Sequence, residues 1–159
     1  MSKKDKNKPK TKEEPRKLTP VLPDNLFVAR TPDKGRAVFT SKPIAKGETI
    51  EVAPMIVFSS KDRASIDDTF LYEYYFEWGN KGKKGALALG FGSLYNHSYN
   101  PNAQYLPDFD LNVLEFRAVR NIEPGVEITV NYNLDPEDQT PVWWEQDANK
   151  KSKEKRQHP

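Results

Sequence analysis

From Leu26 onward the apolar residues come in short runs, interrupted every few positions by Gly, Pro or Asn. This is the pattern of β-strands joined by turns. Leu26–Arg30 and Arg36–Thr40 flank the segment TPDKG, which predicts a hairpin with Gly35 in a backbone geometry that other residues avoid. Thr49–Phe58 reads as a strand in which Pro54 marks an edge or a break, because proline has no N–H to give to a ladder. Thr69–Trp78, TFLYEYYFEW, follows Asp67 and Asp68 and fits either a short capped helix or a strand. Ala86–Phe91 is short and apolar. Leu114, Phe116 and Ala118 alternate with polar residues, as do Ile128, Val130 and Tyr132, which predicts two half-buried strands. No long helical period occurs, so the expected fold class is mostly β with short helices only.

Two stretches echo one another. PIAKGETIEV (43–52) and NIEPGVEITV (121–130) share the frame Ile-x-x-Gly-x-x-Ile-x-Val. The echo is either a glycine turn feeding a strand, used twice, or a true internal repeat. Both readings place strand starts at Glu48 and Glu127.

Composition narrows the picture. The 159 residues suit one domain. Residues 1–20 and 147–159 are lysine-rich and nearly free of large apolar side chains, so both are expected to be disordered basic tails around a domain at 21–146. Such tails are usually solvated, and contact with nucleic acid or anionic surfaces is the alternative. Residues 21–144 carry twelve basic and seventeen acidic residues. That acidic body favours a basic ligand or peptide and repels nucleic acid. The chain has no cysteine and two histidines, which excludes disulfides and thiolate zinc and leaves no ligand set for a metal. The start of the chain has no apolar segment of the kind a secretory signal or membrane span requires, so the expectation is an intracellular protein, cytoplasmic if the host is bacterial.

The one internal histidine lies in YNHSYNPN, residues 95–102. A Ser-His-Asp scheme does not suit it, since His97 and Ser98 are neighbours on a loop and no nucleophile elbow is present. Taken alone, the histidine is a locally satisfied structural residue and the Asn, Ser and Pro are turn formers. The surrounding order of motifs changes this. GRAVF comes first, then YYFEW, then ALALGFGSLYNHSYNPNA, then an alternating strand, then VEITVNYN. Across residues 26–144 that order resembles the SET-domain family of S-adenosylmethionine-dependent protein-lysine methyltransferases, in its compact viral and bacterial form without zinc-binding flanks.

The resemblance implies a fold of several small sheets whose C-terminal segment threads through a loop in a knot-like way. It also implies roles for particular residues. Gly35, Arg36 and Ala37 match the hairpin stretch that approaches the cofactor, with Ala37 standing where the family has a second glycine. Asn96 matches the asparagine that holds the cofactor's amino-acid end, and His97 the residue whose backbone faces adenine while its ring packs and hydrogen-bonds. Tyr99 stands where zinc-binding relatives have cysteine. Tyr132 matches the catalytic tyrosine, and Tyr74 is expected beside it in the active site. Val130 and Tyr95 are expected to line the lysine channel. Valine at 130 has no hydroxyl to hold a blocking water, which implies transfer of more than one methyl group. Phe76 and Trp78 belong either to the channel wall or to the core. Trp143 is expected over the adenine, and Trp144 at the surface or a dimer contact. The implied partner is a protein or peptide presenting a lysine, with a homodimer by analogy to compact relatives. A non-catalytic SET-like module that binds a peptide or partner is the alternative, and Ala37 is the feature that favours it.

Overall fold

The computed structural model describes residues 20, 23–79 and 81–146. Apart from Pro20, the tails at 1–20 and 147–159 lie outside the described residues. The elements in chain order are β1 (Leu26–Thr31), β2 (Gly35–Thr40), β3 (Thr49–Phe58), α1 (Ser60–Ile66), β4 (Tyr75–Trp78), β5 (Lys84–Ala88), β6 (Asn96–His97), β7 (Ala103–Asp108), β8 (Val113–Ala118) and β9 (Thr129–Val130). They form a two-stranded β1–β2 sheet, a five-stranded sheet in the order β4-β5-β3-β8-β7, and a two-stranded β6–β9 sheet. The mostly β class with several small sheets is as expected.

The first hairpin forms where TPDKG predicts it, with Thr31 opposite Gly35 and Leu26 opposite Thr40. Gly35 has φ 76°, a left-handed geometry open chiefly to glycine. The Thr31 hydroxyl closes the turn by accepting from the Lys34 N–H at 3.1 Å. In β3, residues 49–54 pair with β8 and residues 55–58 with β5. Pro54 stands at that hand-over, where its carbonyl accepts from the Leu89 N–H at 3.0 Å. The predicted break is therefore a change of partner.

The aromatic segment 69–78 resolves into both of its alternatives. Thr69, with its side chain accepting from the Leu71 N–H, caps a 3₁₀ turn at Phe70–Glu73, and β4 follows at once. Helix α1 went unread because none of its residues is buried, so it leaves no apolar period. Its only written signal is Ser59 and Asp62, which form a capping box.

The core gathers on β3, β5 and β8 and the turns beside them. Leu114, Phe116 and Ala118 are buried as the alternation predicts. Gly92 lies where a Cβ would come within 2.6 Å of the Ala88 Cβ and 3.0 Å of the Ala53 Cβ, so only glycine fits beneath the loop that leads to residue 95.

The last strand departs from its prediction. Strand β9 is only two residues long, and Ile128, Thr129, Val130 and Asn131 are all buried, so one face does not alternate with the other. Both sides of this segment are covered. Ile128 N–H donates to the Val38 carbonyl at 2.8 Å on one side. On the other, β9 pairs in parallel with β6, and Ser98 N–H donates to the Val130 carbonyl at 2.9 Å. The segment thus runs between β2 and the 96–102 loop, the threaded arrangement that the resemblance implies. Strand starts fall at Thr49 and Thr129, just beyond the expected Glu48 and Glu127. The two echoing stretches meet each other: Ile44 and Ile122 exchange both backbone hydrogen bonds at 2.9 Å, and Gly47 and Gly125 take φ values of 86° and 81°.

Asn102 fastens the threaded segment. Its Nδ2 donates to the Glu127 carbonyl at 2.8 Å and its Oδ1 accepts from the Thr129 N–H at 2.9 Å. Asn102→Ala leaves one buried acceptor and one buried donor unpaired and is expected to cost about 2–4 kcal/mol in urea unfolding. A loss below about 1 kcal/mol would mean that water replaces the amide.

Candidate active site

Two hollows open beside the threaded segment, one of about 300 Å³ and one of about 580 Å³. Glu73, Tyr74, Ser93, Tyr132 and Trp143 line both, so Tyr132 and Tyr74 stand on the partition between them.

The smaller hollow has a cationic end. Lys34 and Arg36, from the β1–β2 turn and the start of β2, reach it together with Asn96. Asn96 Nδ2 donates to the Arg36 carbonyl at 3.0 Å and to Glu127 Oε1 at 2.9 Å. Two acceptors for two N–H groups fix the amide's orientation and leave its Oδ1 to accept from a bound donor. Glu127 also pairs with Lys34 at 3.3 Å, tying the hairpin to the threaded segment. Arg36 Nη2 donates to the Tyr74 hydroxyl at 3.1 Å. Two cations, a free amide oxygen and the indoles of Trp143 and Trp144 make a donor set suited to an amino-acid end joined to an aromatic base. S-adenosylmethionine has that composition.

The larger hollow is aromatic and acidic. Tyr72, Tyr75, Phe76, Trp78, Tyr95 and Tyr105 contribute to its wall, and Glu73 and Glu77 supply negative charge. Phe76 packs edge-on to Tyr105, with ring centroids 5.3 Å apart. Trp78 is 3% exposed and donates to Asn112 Oδ1 at 3.2 Å, so it serves core and wall together. Arg63 of α1 donates to the Tyr75 hydroxyl and to Glu77 Oε1, both at 2.8 Å, and so clamps the helix to β4. Glu73 has no hydrogen-bond or ion-pair partner among the described residues.

Tyr132 is held at three atoms. Its N–H donates to His97 Nδ1 at 3.1 Å, its carbonyl accepts from the Tyr105 hydroxyl at 2.9 Å, and its own hydroxyl donates to the Tyr95 carbonyl at 2.8 Å. Burial, reinforced by Tyr74, Glu127 and Glu73, pushes its phenol up to about 12. The group therefore keeps its proton at neutral pH and presents oxygen lone pairs to the partition. Tyr95 is anchored from below, donating to the buried Glu51 at 2.8 Å. Burial raises both groups, so the phenol remains a donor.

Several placements differ from expectation. Gly35 and Ala37 line neither hollow, and Ala37 is wholly buried, so its methyl group does not intrude on the smaller one. His97 lines neither hollow, although its ring packs and hydrogen-bonds as the resemblance implies, bracing the Tyr132 backbone and packing on Tyr99, Tyr132 and Trp144. Val130 is 1% exposed in the core and lines neither hollow, because the threaded segment is covered on both sides. That removes the ground for reading methyl number from residue 130. Trp144 is 38% exposed, as a surface position implies, and it also joins Trp143 in lining the smaller hollow and packs against Tyr132. Lys34, Glu73 and Tyr105 were not singled out from the sequence, and Glu127 only as a strand start. The only written hints were the adjacency of Lys34 to Gly35 and the position of Glu127 in Gly-Val-Glu-Ile.

His97 gives a pH dependence with a definite sign. Burial lowers its pKa from the usual 6.5, a shift the nearby Lys34 adds to and Glu145 opposes. Protonation would also set an N–H against the Tyr132 N–H that Nδ1 now accepts. The folded state thus prefers the neutral ring. The contribution to stability is whole above pH 6.5, and it declines as pH falls from there through the lower folded value. In His97→Asn an amide oxygen replaces Nδ1 without titrating, so urea midpoints should fall less between pH 7.5 and 5 than in the parent. Equal losses in the two proteins would remove His97 from the acid response.

The comparisons with known proteins agree with this geometry. The SET domain family model matches residues 35–133. A Schizosaccharomyces pombe protein named histone-lysine N-methyltransferase, H3 lysine-37 specific, is 33% identical over 135 residues, covering 84% of this chain and 86% of the relative. The crystal structure of a Plasmodium falciparum protein provisionally called a histone methyltransferase superposes with a TM-score of 0.57 at 27% identity, covering 76% of this chain and 96% of that one. With its threaded strand, its Asn96–His97 loop and its tyrosine between two hollows, the chain belongs to the SET-domain family.

Proposed function

We propose that the protein is an S-adenosylmethionine-dependent protein-lysine N-methyltransferase, with the smaller hollow for the cofactor and the larger for the lysine-bearing segment. The observation that carries this is the partition: Tyr132 and Tyr74 line both hollows, so a group in one meets a group in the other beside a single phenol. Lys34 and Arg36 would hold the cofactor's carboxylate, Asn96 Oδ1 its ammonium, and Trp143 with Trp144 its adenine. When bound, S-adenosylmethionine supplies a methyl group activated by its sulfonium.

The remaining work falls to this chain's residues. Desolvation within the hollow lowers a lysine's pKa and helps it arrive as the neutral amine, against the pull of Glu73. The Tyr132 oxygen, fixed through the Tyr95 carbonyl, accepts an N–H of that amine and turns its lone pair toward the smaller hollow. Because burial holds the phenol protonated up to about 12, it orients the amine and does not act as its base. Glu73, unpaired among the described residues, suits a basic segment around the target lysine, while Glu77 is held by Arg63. The name of the fission-yeast relative makes a histone H3 peptide a reasonable first substrate.

Incubation with labelled S-adenosylmethionine and mixed protein substrates tests this reading. The parent is expected to transfer label. Tyr132→Phe should lose roughly 100-fold in rate, the scale of one positioned catalytic hydroxyl, while binding cofactor nearly as well. Asn96→Ala should raise the cofactor KM. No transfer by the parent, or equal transfer by all three, would overturn the assignment.

A further inference from the structure

Within the described residues, the segment after Asn133 reaches a helical stretch at 143–146 that carries both indoles of the smaller hollow. Its attachment to the domain is concentrated. Among the described residues, every hydrogen bond between residues 135–146 and the chain before Asn131 ends on Tyr99. Gln139 Nε2 donates to the Tyr99 carbonyl at 3.0 Å, Val142 N–H donates to the Tyr99 hydroxyl at 3.0 Å, and that hydroxyl donates to Glu145 Oε2 at 2.5 Å. The phenol is thus both acceptor and donor at the two ends of the tryptophan pair. Asn131 and Asn133 also bond this segment, at the Asp138 and Thr140 carbonyls, but both belong to its own root.

We propose that Tyr99 and Glu145 form a latch that holds the Trp143–Trp144 turn over the smaller hollow, making Tyr99 a positioning residue for the cofactor. The inference rests on the assignment of that hollow to S-adenosylmethionine. A second observation supports a latch. Tyr99 and Trp144 flank the His97 ring at 4.4 and 5.8 Å, and His97 Nε2 is buried with no partner among the described residues. Nδ1 accepts from Tyr132, so the neutral ring carries its proton on Nε2. Closing the turn leaves that donor unpaired, whereas opening it would admit water, and an unpaired buried donor disfavours the closed form. The Tyr99–Glu145 bond, a phenol donating to a carboxylate, is of the charge-assisted kind that offsets such a cost.

The test compares Tyr99→Phe, Glu145→Ala, Glu145→Gln and the double variant Tyr99→Phe/Glu145→Ala. In cofactor-free protein, tryptophan emission should shift to the red in Tyr99→Phe and Glu145→Ala as Trp143 and Trp144, already 41% and 38% exposed, lose their remaining packing to water, and stay near the parent's in Glu145→Gln, which keeps an acceptor. Titration with S-adenosylmethionine should show about tenfold weaker binding for Tyr99→Phe and Glu145→Ala. The double variant should match Tyr99→Phe alone, since Glu145 acts only through the Tyr99 hydroxyl. At saturating cofactor, kcat should stay within about twofold of the parent, so the loss lies in KM. Unchanged emission and affinity in Tyr99→Phe, additive losses in the double variant, or a fall in kcat with KM unaltered would each overturn the latch. Emission and binding are read without transfer, so a parent that binds cofactor but moves no methyl group would sink the enzymatic assignment and leave the latch standing.

Discussion

The arrangement depends on residues 127–132 being held between two distant parts of the chain. Ile128 bonds back to Val38 in the first hairpin, while Thr129 and Val130 pair with Asn96 and His97. Lys34 and Glu127, 93 positions apart, meet only because of this insertion. Closing a loop of that length costs entropy that grows slowly with length, so a few well-made contacts suffice to hold it. The Asn102 amide supplies two of them in a place where water has little access. Everything chemical hangs on the same insertion: it brings Glu127 to Asn96, sets the Tyr132 N–H on His97 and carries the Tyr132 phenol to the partition.

Charge differs across that partition. Lys34 and Arg36 lie on one side, the Arg63–Glu77 ion pair on the other, and Glu73, unpaired among the described residues, at the junction. An anionic group would be drawn to the Lys34–Arg36 end and a basic side chain toward Glu73, and their reacting ends meet beside a phenol whose pKa is pushed up to about 12. The supports are layered beneath it. Tyr95 offers its carbonyl to Tyr132 and gives its own hydroxyl to Glu51, and Glu51 also takes the Phe91 N–H at 2.9 Å. A buried carboxylate with two donors is a rigid foundation, and its burial makes the loss of either donor expensive.

The latch at Tyr99 ties two regions that the sequence presents separately. The 95–102 loop appears as a local motif, and the tryptophan pair as an isolated aromatic feature near the end of the domain. In the fold one phenol joins them, at the position where zinc-binding relatives have a cysteine. The closure is built from hydrogen bonds and indole packing, with His97 beneath it.

Much of the fold was legible because it is local. The TPDKG turn, the glycine turns at 47 and 125, and the alternation of Leu114, Phe116 and Ala118 are all fixed by residues within a few positions of one another. The order of motifs from GRAVF to VEITVNYN identified the family and nominated Asn96, Tyr132, Tyr74 and Trp143, all of which line the smaller hollow. Alternation failed at Val130 because it assumes one solvated face, and a strand covered on both sides has none. Helix α1 escaped because none of its residues is buried, so it writes no apolar period. Glu127, Lys34 and the paired tasks of Tyr99 acquire meaning only when distant segments touch. The sequence by itself determined the turns, the strands and the chemical groups on hand. The tertiary structure decided which groups share a hollow, because contacts across tens of residues depend on which segment is threaded between which, and no local pattern encodes that.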